Sequence, residues 1–369
     1  MAESCCEPAK QNPSESPCSC GEPLPLWASG AVSTATGKVF QVKTCLSRSD
    51  FWGAVRCRTS GFRRDYEIRP GLYAAGNPDA NAPVFASANY KLSFDTLRRE
   101  LGGINAWILV LDTKGINVWC AAGKRTFGTN ELVSKINSAG LADVVSQKKI
   151  IVPQLGAPGI SAHEVRKQTG FTVRYGPVRA KDIPAYLKND RVATREMRTV
   201  DFGFVDRLVL TPMELVPSLK VFLPAAVALL VLFGLEKHGI IFGQALQAMP
   251  FILLGFIAIL CGSFITPVFL PFVPGRAFSI KGWLVGMAAV IIFLASTRAI
   301  HHWQAIAAAL IAFPMVSSFC ALNFTGSTPF TSMSGVKMEM KYAVPTYIAA
   351  GAITVVLFVY SRLLLWGVL

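Results

Sequence analysis

The sequence has little charge for its length, and the shortage is concentrated in its second part. Charged residues make up 16% of the 369 residues, against roughly 25% in a typical soluble domain. Seven Lys or Arg and two Asp or Glu follow Lys220, whereas residues 1–220 contain 29 and 20. This distribution excludes a fully soluble enzyme and a disordered chain, because the second part is too apolar for either.

Several familiar signatures are absent as well. The first ten residues, MAESCCEPAK, contain no apolar core, so we expect no secretory signal peptide. The nine cysteines are odd in number and cannot all pair within the chain, and a cytoplasmic domain would keep its thiols reduced. Neither GxxxxGKS/T nor GxGxxG occurs, which argues against a phosphate-binding loop and a nicotinamide cofactor.

The apolar second part contains five stretches that can cross a bilayer, for which about 20 residues are needed. They are 215–235, 250–272, 282–297, 303–322 and 342–361. With the N-terminus inside, six Lys or Arg flank the cytoplasmic ends and three flank the others, as the positive-inside rule requires. We therefore predict a multi-pass protein of the cytoplasmic (inner) membrane with its N-terminal domain in the cytoplasm. Almost every charge lies at a span end, so we expect these spans to act mainly as an anchor.

The polar first part alternates between strand and helix patterns from about Pro70. The run Ala106–Asp112 (AWILVLD) is nearly all apolar, as is typical of a strand buried on both faces. We predict further strands at 83–88, 148–153 and 171–175, and helices at 94–101 (capped by Ser93), 130–138 and 182–188. A capping box of Ser161 and Glu164 would open one more helix. The alternation predicts an α/β domain with a Rossmann-like, mostly parallel open sheet.

These patterns divide the chain into four segments. We predict a flexible, cysteine-containing tail at 1–44, the α/β domain at 45–200, a linker at 201–214 and a helical transmembrane domain at 215–369. The part up to Lys220 has a net charge of +9, which either nucleic acid, anionic lipid or an acidic protein could explain. No nucleic-acid fold signature accompanies its densest basic positions, so we predict no nucleic-acid partner. Those positions are Arg56, Arg58, Arg63 and Arg64.

The most informative segment follows the strand 106–112. Ligands of open α/β sheets bind beyond the carboxyl ends of the strands, and this segment leads into the run NVWCAAGK at 117–124. Asn117 is a good N-cap, which places Cys120 in the first turn of a short helix, where free backbone N–H groups should lower the pKa of the thiol. The two alanines that follow are small enough to let a flat ligand approach, and the final Gly-Lys suits the helix end.

A buried structural cysteine in a turn of small residues would explain Cys120 taken alone, but the whole run is more specific. The run resembles the cap-helix signature of the corrinoid protein of microbial mercury methylation. Three other segments also look like that family, namely GLYAAGNP at 71–78, ANYKLSFD at 88–95 and PQLG at 153–156. So does the order of an α/β domain followed by about five spans, and the resemblance covers roughly residues 45–369.

The resemblance implies that residues 45–200 bind a cobalamin-type corrinoid, with Cys120 as the lower axial ligand of its cobalt. It also implies a set of cofactor-binding residues: Asn117, Val118, Trp119, Cys120, Ala121, Ala122, Gly123, Lys124, Asn89, Tyr90, Gln154 and Gly156. The domain is similar to that of the corrinoid iron–sulfur protein of the acetyl-CoA pathway, which leaves cobalt without such a thiolate. A thiolate donates more strongly to cobalt than an imidazole does, which eases methyl transfer to a soft electrophile.

The activity that the resemblance implies is that of a methyltransferase, which passes a methyl group from cobalt to thiol-bound Hg(II) and forms methylmercury. The partners it implies are a small ferredoxin-like protein with two 4Fe–4S clusters, which re-reduces cobalt, and a methyl-pterin-dependent donor system. Two alternatives remain open. One is a corrinoid methyl carrier for another thiol-bound metal or metalloid, or for the acetyl-CoA pathway. The other is a non-enzymatic, thiol-based metal-binding membrane protein.

Four cysteines lie in two pairs near the N-terminus, in a segment with little apolar content. They are Cys5, Cys6, Cys18 and Cys20. Thiol pairs bind Hg(II), and tethered pairs would raise its effective concentration near the corrinoid, which makes Hg(II) capture a hypothesis for this tail. Their spacing matches no zinc signature well, and a spacer whose thiols are incidental explains them too.

Overall fold

A computed structural model describes residues 24–236, 239–328 and 331–365. The chain divides into two units, the first ending at Val200 and the second beginning at Asp201, except that the short segment Arg58–Ser60 groups with the second unit. The four N-terminal cysteines proposed for Hg(II) capture, Cys5, Cys6, Cys18 and Cys20, lie outside the described residues.

The first unit is built on one open, mixed sheet of seven strands. These are β1 (Ala28–Thr34), β2 (Gly37–Val42), β3 (Gly71–Ala75), β4 (Val84–Ala88), β5 (Ala106–Leu111), β6 (Lys149–Val152) and β7 (Thr172–Tyr175). The order across the sheet is β1-β2-β3-β5-β4-β6-β7. The four strands β5, β4, β6 and β7 run parallel, whereas β3 runs antiparallel to β5 and β1 antiparallel to β2. The predicted open, mostly parallel sheet is thus confirmed for four strands, and the sequence missed the antiparallel part.

Helices cover both faces of this sheet. They are α1 (Arg48–Thr59), α2 (Lys91–Glu100), α3 (Val118–Gly123), α4 (Thr129–Ser138), α5 (Leu141–Val144), α6 (Ala162–Thr169) and α7 (Ile183–Lys188). One hydrophobic core joins Leu109 of β5 to Leu132 of α4 and Val165 of α6. The other core joins Ile108 of β5 to Phe94 of α2. Because β5 is fully buried on both faces, its sequence reads as a continuous apolar run.

The folded part of the first unit begins earlier than predicted. Strands β1 and β2 fall inside the segment 1–44 that we expected to be a flexible tail. Before them, the Trp27 ring packs edge-on against Tyr73 and Phe94, with both ring centroids 5.5 Å away. This aromatic contact adds to the core and holds the hairpin against the sheet. The prediction was wrong because the alternating residues of an edge hairpin are too polar to stand out in the sequence.

One predicted helix cap is wrong, because Ser93 lies inside α2, which begins after Tyr90. Ser161 is the N-cap residue of α6, as predicted, but it makes no side-chain cap hydrogen bond. The first residue of α2, Lys91, is buried and bonds Asp50 and Asp95, both at 2.7 Å. This buried ion cluster fixes the first turn of α2 earlier than the local sequence indicates.

The connections of the parallel strands define where a ligand can bind. From β4 the chain crosses to β5 on one side, and from β5 it returns past β4 to β6 on the other side. The direction of winding therefore changes between β4 and β6, which are hydrogen-bonded neighbours. In open α/β sheets, ligands bind outside the carboxyl ends of the strands at such a switch point.

The second unit is helical apart from a two-stranded pairing of β8 (Leu235–Glu236) with β9 (Gly239–Ile240). Its helices are α8 (Phe204–Leu210), α9 (Pro212–Gly234), α10 (Phe242–Ala245), α11 (Met249–Leu260), α12 (Thr266–Val268), α13 (Phe278–Thr297), α14 (Trp303–Asn323) and α15 (Met333–Leu365). Five helical stretches among the described residues are long and apolar enough to cross a membrane: Phe204–Gly234, Phe242–Val268, Phe278–Thr297, Trp303–Gly326 and Ser334–Leu364. The prediction of about five spans is confirmed in the number, length and apolar composition of these helices. The expected linker 201–214 is wrong in part, because it is helical from Phe204 and continues into the first of these stretches.

Small residues let two of these helices approach closely. A Cβ atom added at Gly286 of α13 would lie 2.5 Å from the Cβ of Ser317 on α14. The Ser317 hydroxyl donates to the carbonyl of Gly282 at 2.7 Å, and the Ser318 hydroxyl donates to the carbonyl of Ser279 at 2.7 Å. Small residues with interhelical hydrogen bonds are typical of helix packing in membranes.

Candidate functional site

The residues after β5 turn sharply before the cap helix α3 begins. Lys114 and Gly115 are both in the left-handed region, at φ 58° and φ 67°. The φ of Gly115 favours glycine, and a Cβ atom added there would lie 3.2 Å from the Glu67 Oε2 atom, so the end of that side chain would have to shift. The turn directs the chain from the end of β5 into α3.

The side chain of Asn89 holds this turn in place through hydrogen bonds. Its Oδ1 atom accepts hydrogen bonds from the Thr113 backbone N–H (3.1 Å), the Thr113 hydroxyl (2.7 Å) and the Gly115 N–H (3.1 Å). Its Nδ2 atom donates to Glu67 Oε2 at 3.1 Å, and the residue is 2% exposed. The sequence placed Asn89 among the cofactor-binding residues, which stays a prediction, and in the structure its amide oxygen positions the turn before the cap helix.

Replacing Asn89 by alanine should open the turn. The change leaves the Thr113 and Gly115 backbone N–H groups without their acceptor, at about 1–3 kcal/mol for each unsatisfied group, while the Thr113 hydroxyl can still donate to the Ile116 carbonyl. We expect hydrogen exchange at Thr113 and Gly115 to rise by about 100-fold or more in the full chain. Asn137→Ala, on the exposed face of α4, should change neither amide. Unchanged exchange in Asn89→Ala would show that the turn does not depend on this side chain.

The cap helix α3 forms as the sequence predicts. Asn117 is its N-cap in extended conformation, and the Asn117 Oδ1 atom accepts the Cys120 backbone N–H at 2.8 Å. The helix ends at Gly123, and Lys124 is its C-cap. Cys120 is therefore held in the first turn of a helix six residues long, with its side chain partly exposed.

Loss of the N-cap should loosen the helix that carries Cys120. Asn117→Ala removes the acceptor for the Cys120 N–H, and N-cap truncations cost about 1 kcal/mol. We expect hydrogen exchange of the Cys120 amide to speed up about fivefold. Asn117→Ser, which can still accept this bond, should stay close to the native rate. Equal hydrogen exchange of the Cys120 amide in the two variants would show that the Asn117 side chain does not stabilise the helix.

The two alanines of α3 are buried. Ala121 and Ala122 are 0% and 3% exposed, and they pack inside the first unit. A Cβ atom added at Gly159 would lie 3.1 Å from the Cα of Ala122 and 2.2 Å from the Phe127 carbonyl oxygen. Ala122 thus lies against the 3₁₀ turn Gln154–Gly159. That the two alanines let a flat ligand approach the helix stays a prediction.

The predicted cofactor-binding residues therefore separate into two groups. Six are buried in the protein: Val118, Ala121, Ala122, Asn89, Tyr90 and Gly156. Six are partly or fully exposed: Asn117, Trp119, Cys120, Gly123, Lys124 and Gln154. The second group lies on α3 and on the turn after β6, at the carboxyl ends of β5 and β6. These are the residues that a ligand at the switch point could touch.

One buried polar atom at this edge has no protein partner. The Gln154 Oε1 atom is buried and accepts no hydrogen bond within the described part of the chain. A buried acceptor of this kind costs free energy unless a donor is supplied. Together with the Cys120 thiol, it fits a bound group that offers a soft metal ion and N–H donors.

The ionisation of Cys120 differs from what the sequence predicts. Burial raises the pKa of the Cys120 thiol above its ordinary value and outweighs the charges of Arg63 and Lys124 and the hydrogen bond of Asn117, which lower it. The sequence prediction of a lowered pKa was wrong, because it considered only the N–H groups of the first turn. Burial therefore disfavours the free thiolate, and coordination to a metal ion would stabilise it.

The raised pKa of the Cys120 thiol can be checked by alkylation. The thiolate is the nucleophile, so the rate at Cys120 in cofactor-free protein should keep rising beyond about pH 8.5, the ordinary midpoint for a free thiol. Arg63→Gln removes a charge that favours the thiolate, and it should raise the pKa further and slow alkylation at each pH. Arg166→Gln on α6 should have no effect. Peptide mass spectrometry separates Cys120 from the other cysteines, and a midpoint below pH 8 would contradict the structure.

The sequence missed three residues that shape the site. Arg63 acts on the Cys120 thiol through its charge, and Thr113 links Asn89 to the turn, with its hydroxyl near the Ile116 carbonyl at 2.7 Å. The Phe127 ring lies against Gly156, where an added Cβ atom would be 2.5 Å away. Of these three residues, only Arg63 stands out in the sequence, because it is part of a basic pair with Arg64. Among the described residues, no group of three or more His, Cys, Asp or Glu could hold a metal ion.

Comparison with known proteins covers this same region. Residues 62–187 match the family described as the CO dehydrogenase/acetyl-CoA synthase delta subunit. The first unit is similar to subunits of that enzyme system. The acetyl-CoA decarbonylase/synthase complex subunit gamma of Methanocaldococcus jannaschii is 32% identical over 139 residues, which is 37% of this chain and 28% of that protein. Its counterpart in Methanothermobacter thermautotrophicus is 33% identical over 136 residues, 36% of this chain and 28% of that protein.

These matches cover less than half of this chain and of each relative. The chain spans about 28% of the length of the two gamma subunits. The family match contains the cap helix and the turn after β6, and it ends at residue 187, before the second unit begins. The similarity therefore concerns the sheet and its candidate site.

Proposed function

We propose that the first unit binds a corrinoid and transfers methyl groups, with Cys120 as a ligand of the cobalt. The observation that carries this proposal is the placement of a partly exposed thiol on a capped helix beyond the carboxyl end of β5. The similarity to acetyl-CoA decarbonylase/synthase subunits supports it, because the synthesis of an acetyl group requires the handling of a methyl group. The resemblance of the run 117–124 to a cap-helix signature points in the same direction.

The residues present fit such a cofactor. The Cys120 sulfur would bind cobalt from one side, and Gln154 Oε1 would accept an N–H from an amide at the edge of the corrin ring. When bound, the corrinoid supplies a cobalt ion that takes up a methyl group and passes it to an acceptor. Trp119, Gly123 and Lys124 would line the same surface of the helix.

The other residues of the site orient and tune the thiol. Asn89 and Asn117 fix the turn and the helix that carry Cys120. The positive charges of Arg63 and Lys124 favour its thiolate form, while burial disfavours it. Positioning groups of this kind around a metal ligand are worth about 10–100-fold in affinity or activity.

We propose thiol-bound Hg(II) as the methyl acceptor, so that the product is methylmercury. A thiolate ligand donates strongly to cobalt, which suits transfer of the methyl group to a soft metal ion. The proposal includes a ferredoxin-like partner with two 4Fe–4S clusters as reductant and a methyl-pterin-dependent donor system. It places the first unit on the cytoplasmic side of the inner membrane, held there by the five apolar helices of the second unit.

A second candidate is favoured by the comparisons themselves. The relatives are subunits of acetyl-CoA decarbonylase/synthase complexes, so this chain could carry methyl groups for an acetyl-CoA-forming reaction. The two candidates share the cofactor and the site, and they differ only in the acceptor. The third reading, a non-enzymatic metal-binding protein, rests on Cys120 and on the four N-terminal cysteines, which lie outside the described residues.

Anaerobic reconstitution separates these candidates. The full chain, purified with added cobalamin, should retain a corrinoid absorbance that a thiol-based metal-binding protein would lack. The methylated protein is then tested in two separate assays, each with a low-potential ferredoxin as reductant. One assay contains thiol-bound Hg(II), and the other contains an acetyl-CoA synthase preparation with CO and coenzyme A. Methylmercury formation supports the main proposal, and acetyl-CoA formation alone supports the second candidate. Absence of bound corrinoid would overturn both.

A further inference from the structure

The second unit contains a cavity between the helices α9, α11, α14 and α15. Its volume is about 950 Å³, which lies in the range of roughly 300–1,000 Å³ that is typical of pockets for small molecules. Four of the α14 residues that line it are alanines on one face of that helix, namely Ala305, Ala308, Ala309 and Ala312. Because these side chains are small, they leave the space between the helices unfilled.

Most of the cavity wall is apolar and aromatic. Phe233 of α9 packs against Phe251 of α11 and Phe358 of α15, with ring centroids 5.1 Å and 5.4 Å away. All three rings line the cavity, together with Leu232 of α9 and Phe313 of α14. A wall of this kind suits a ligand that offers an apolar chain and a flat ring.

The cavity also has polar lining residues, which lie where α9 and α15 end and α14 begins. Gln304 in the first turn of α14 is 8% exposed, and it makes no hydrogen bond within the described part of the chain. A buried amide costs free energy unless a ligand supplies hydrogen-bond partners. Apart from His301 and His302, the ionisable residues among the described ones that line the cavity are Glu236 and Arg362, which pair at 3.5 Å. This end therefore offers hydrogen bonds without a surplus of fixed charge.

We propose that this cavity binds a neutral membrane lipid of the isoprenoid quinone class, which carries a flat ring with carbonyl oxygens on a long apolar chain. The Gln304 amide would donate to a ring carbonyl. Phe358 lies one helical turn before Arg362 on α15, so the ring would meet the phenylalanines, and the chain would extend along the alanines of α14.

The charges at the polar end favour a neutral ligand over a phospholipid or a fatty acid. A phosphate or a carboxylate buried in an apolar cavity needs a cation to compensate it. The cationic side chain of Arg362 is already paired with Glu236 and also donates to the Leu235 carbonyl. The second unit would thus do more than anchor the chain, and this inference does not rest on the function proposed for the first unit.

The test uses the full chain in nanodiscs of phosphatidylcholine and phosphatidylglycerol, so that phospholipid competes for the cavity throughout. The probe is menaquinone-4 with a photoreactive azide on its ring, and mass spectrometry identifies the labelled peptides. We expect labelling of α11 and α14 that saturates and is displaced by unlabelled menaquinone-4. Labelling that does not saturate and spreads over all the apolar helices would overturn the proposal, because the cavity would then hold ordinary bilayer lipid.

A matched pair of variants tests the role of the buried amide. Gln304→Met keeps the length of the side chain and removes its hydrogen bonds, so the probe concentration at half-maximal labelling should rise about tenfold. Asn323→Leu removes an exposed amide at the other end of α14 and should leave that concentration unchanged. Ala308→Leu fills part of the cavity and should also weaken labelling. Equal half-saturation in the native chain, Gln304→Met and Ala308→Leu would place the quinone elsewhere and overturn the proposal.

Discussion

Methyl transfer should fall by more than about 100-fold when Cys120 is replaced by alanine. Loss of outer-shell partners of a metal ligand already costs about 10–100-fold, and this change removes the proposed ligand itself. The effect should appear in the rate of methylmercury formation from a methylated corrinoid and thiol-bound Hg(II) under anaerobic conditions. The absorbance of the bound corrinoid should shift in parallel, because the donor to cobalt has changed.

Two further variants show whether the loss is specific. Cys45→Ala removes an exposed thiol from the same unit, and it should leave both the rate and the spectrum unchanged. Cys120→His offers an imidazole, so it should retain some corrinoid with an altered spectrum and a slower transfer. Full activity in Cys120→Ala would exclude Cys120 as the ligand that supports transfer.

Replacing Gly159 by alanine should disrupt the candidate site without touching any exposed residue of the cap helix. The added Cβ atom would lie 2.2 Å from the Phe127 carbonyl oxygen, a backbone atom that cannot rotate away. The turn after β6 must then move off α3, at a cost of about 1–3 kcal/mol. We expect faster hydrogen exchange in α3 in the cofactor-free protein and a matching loss of bound corrinoid on reconstitution.

The cap helix itself contains the control. An added Cβ atom at Gly123 meets nothing within 4 Å, so Gly123→Ala should keep the stability of the cofactor-free unit or raise it by up to about 1 kcal/mol. The comparison isolates the close contact from the general effect of adding a methyl group. The packing argument fails if Gly159→Ala and Gly123→Ala exchange at the same rate.

Features that depend on a few neighbouring residues, or on composition alone, could be predicted from the sequence. The five apolar stretches follow from length and hydropathy. The buried strand β5 follows from a continuous apolar run, and the cap helix follows from Asn117, whose side chain reaches the Cys120 N–H three residues later. In each case the deciding interaction is local, so the sequence pattern is enough.

Features that depend on groups far apart in the chain were decided by the tertiary structure. The pKa of Cys120 rises because packing buries the thiol, and Arg63, which opposes the rise, comes from another element. Asn89 positions the turn because folding brings β4 beside β5. Ala122 lies against Gly159, which belongs to the turn after β6. Burial and the distances between charges are properties of the assembled sheet, and for that reason the sequence located the candidate thiol but the fold determined its ionisation and which neighbours are free to meet a ligand.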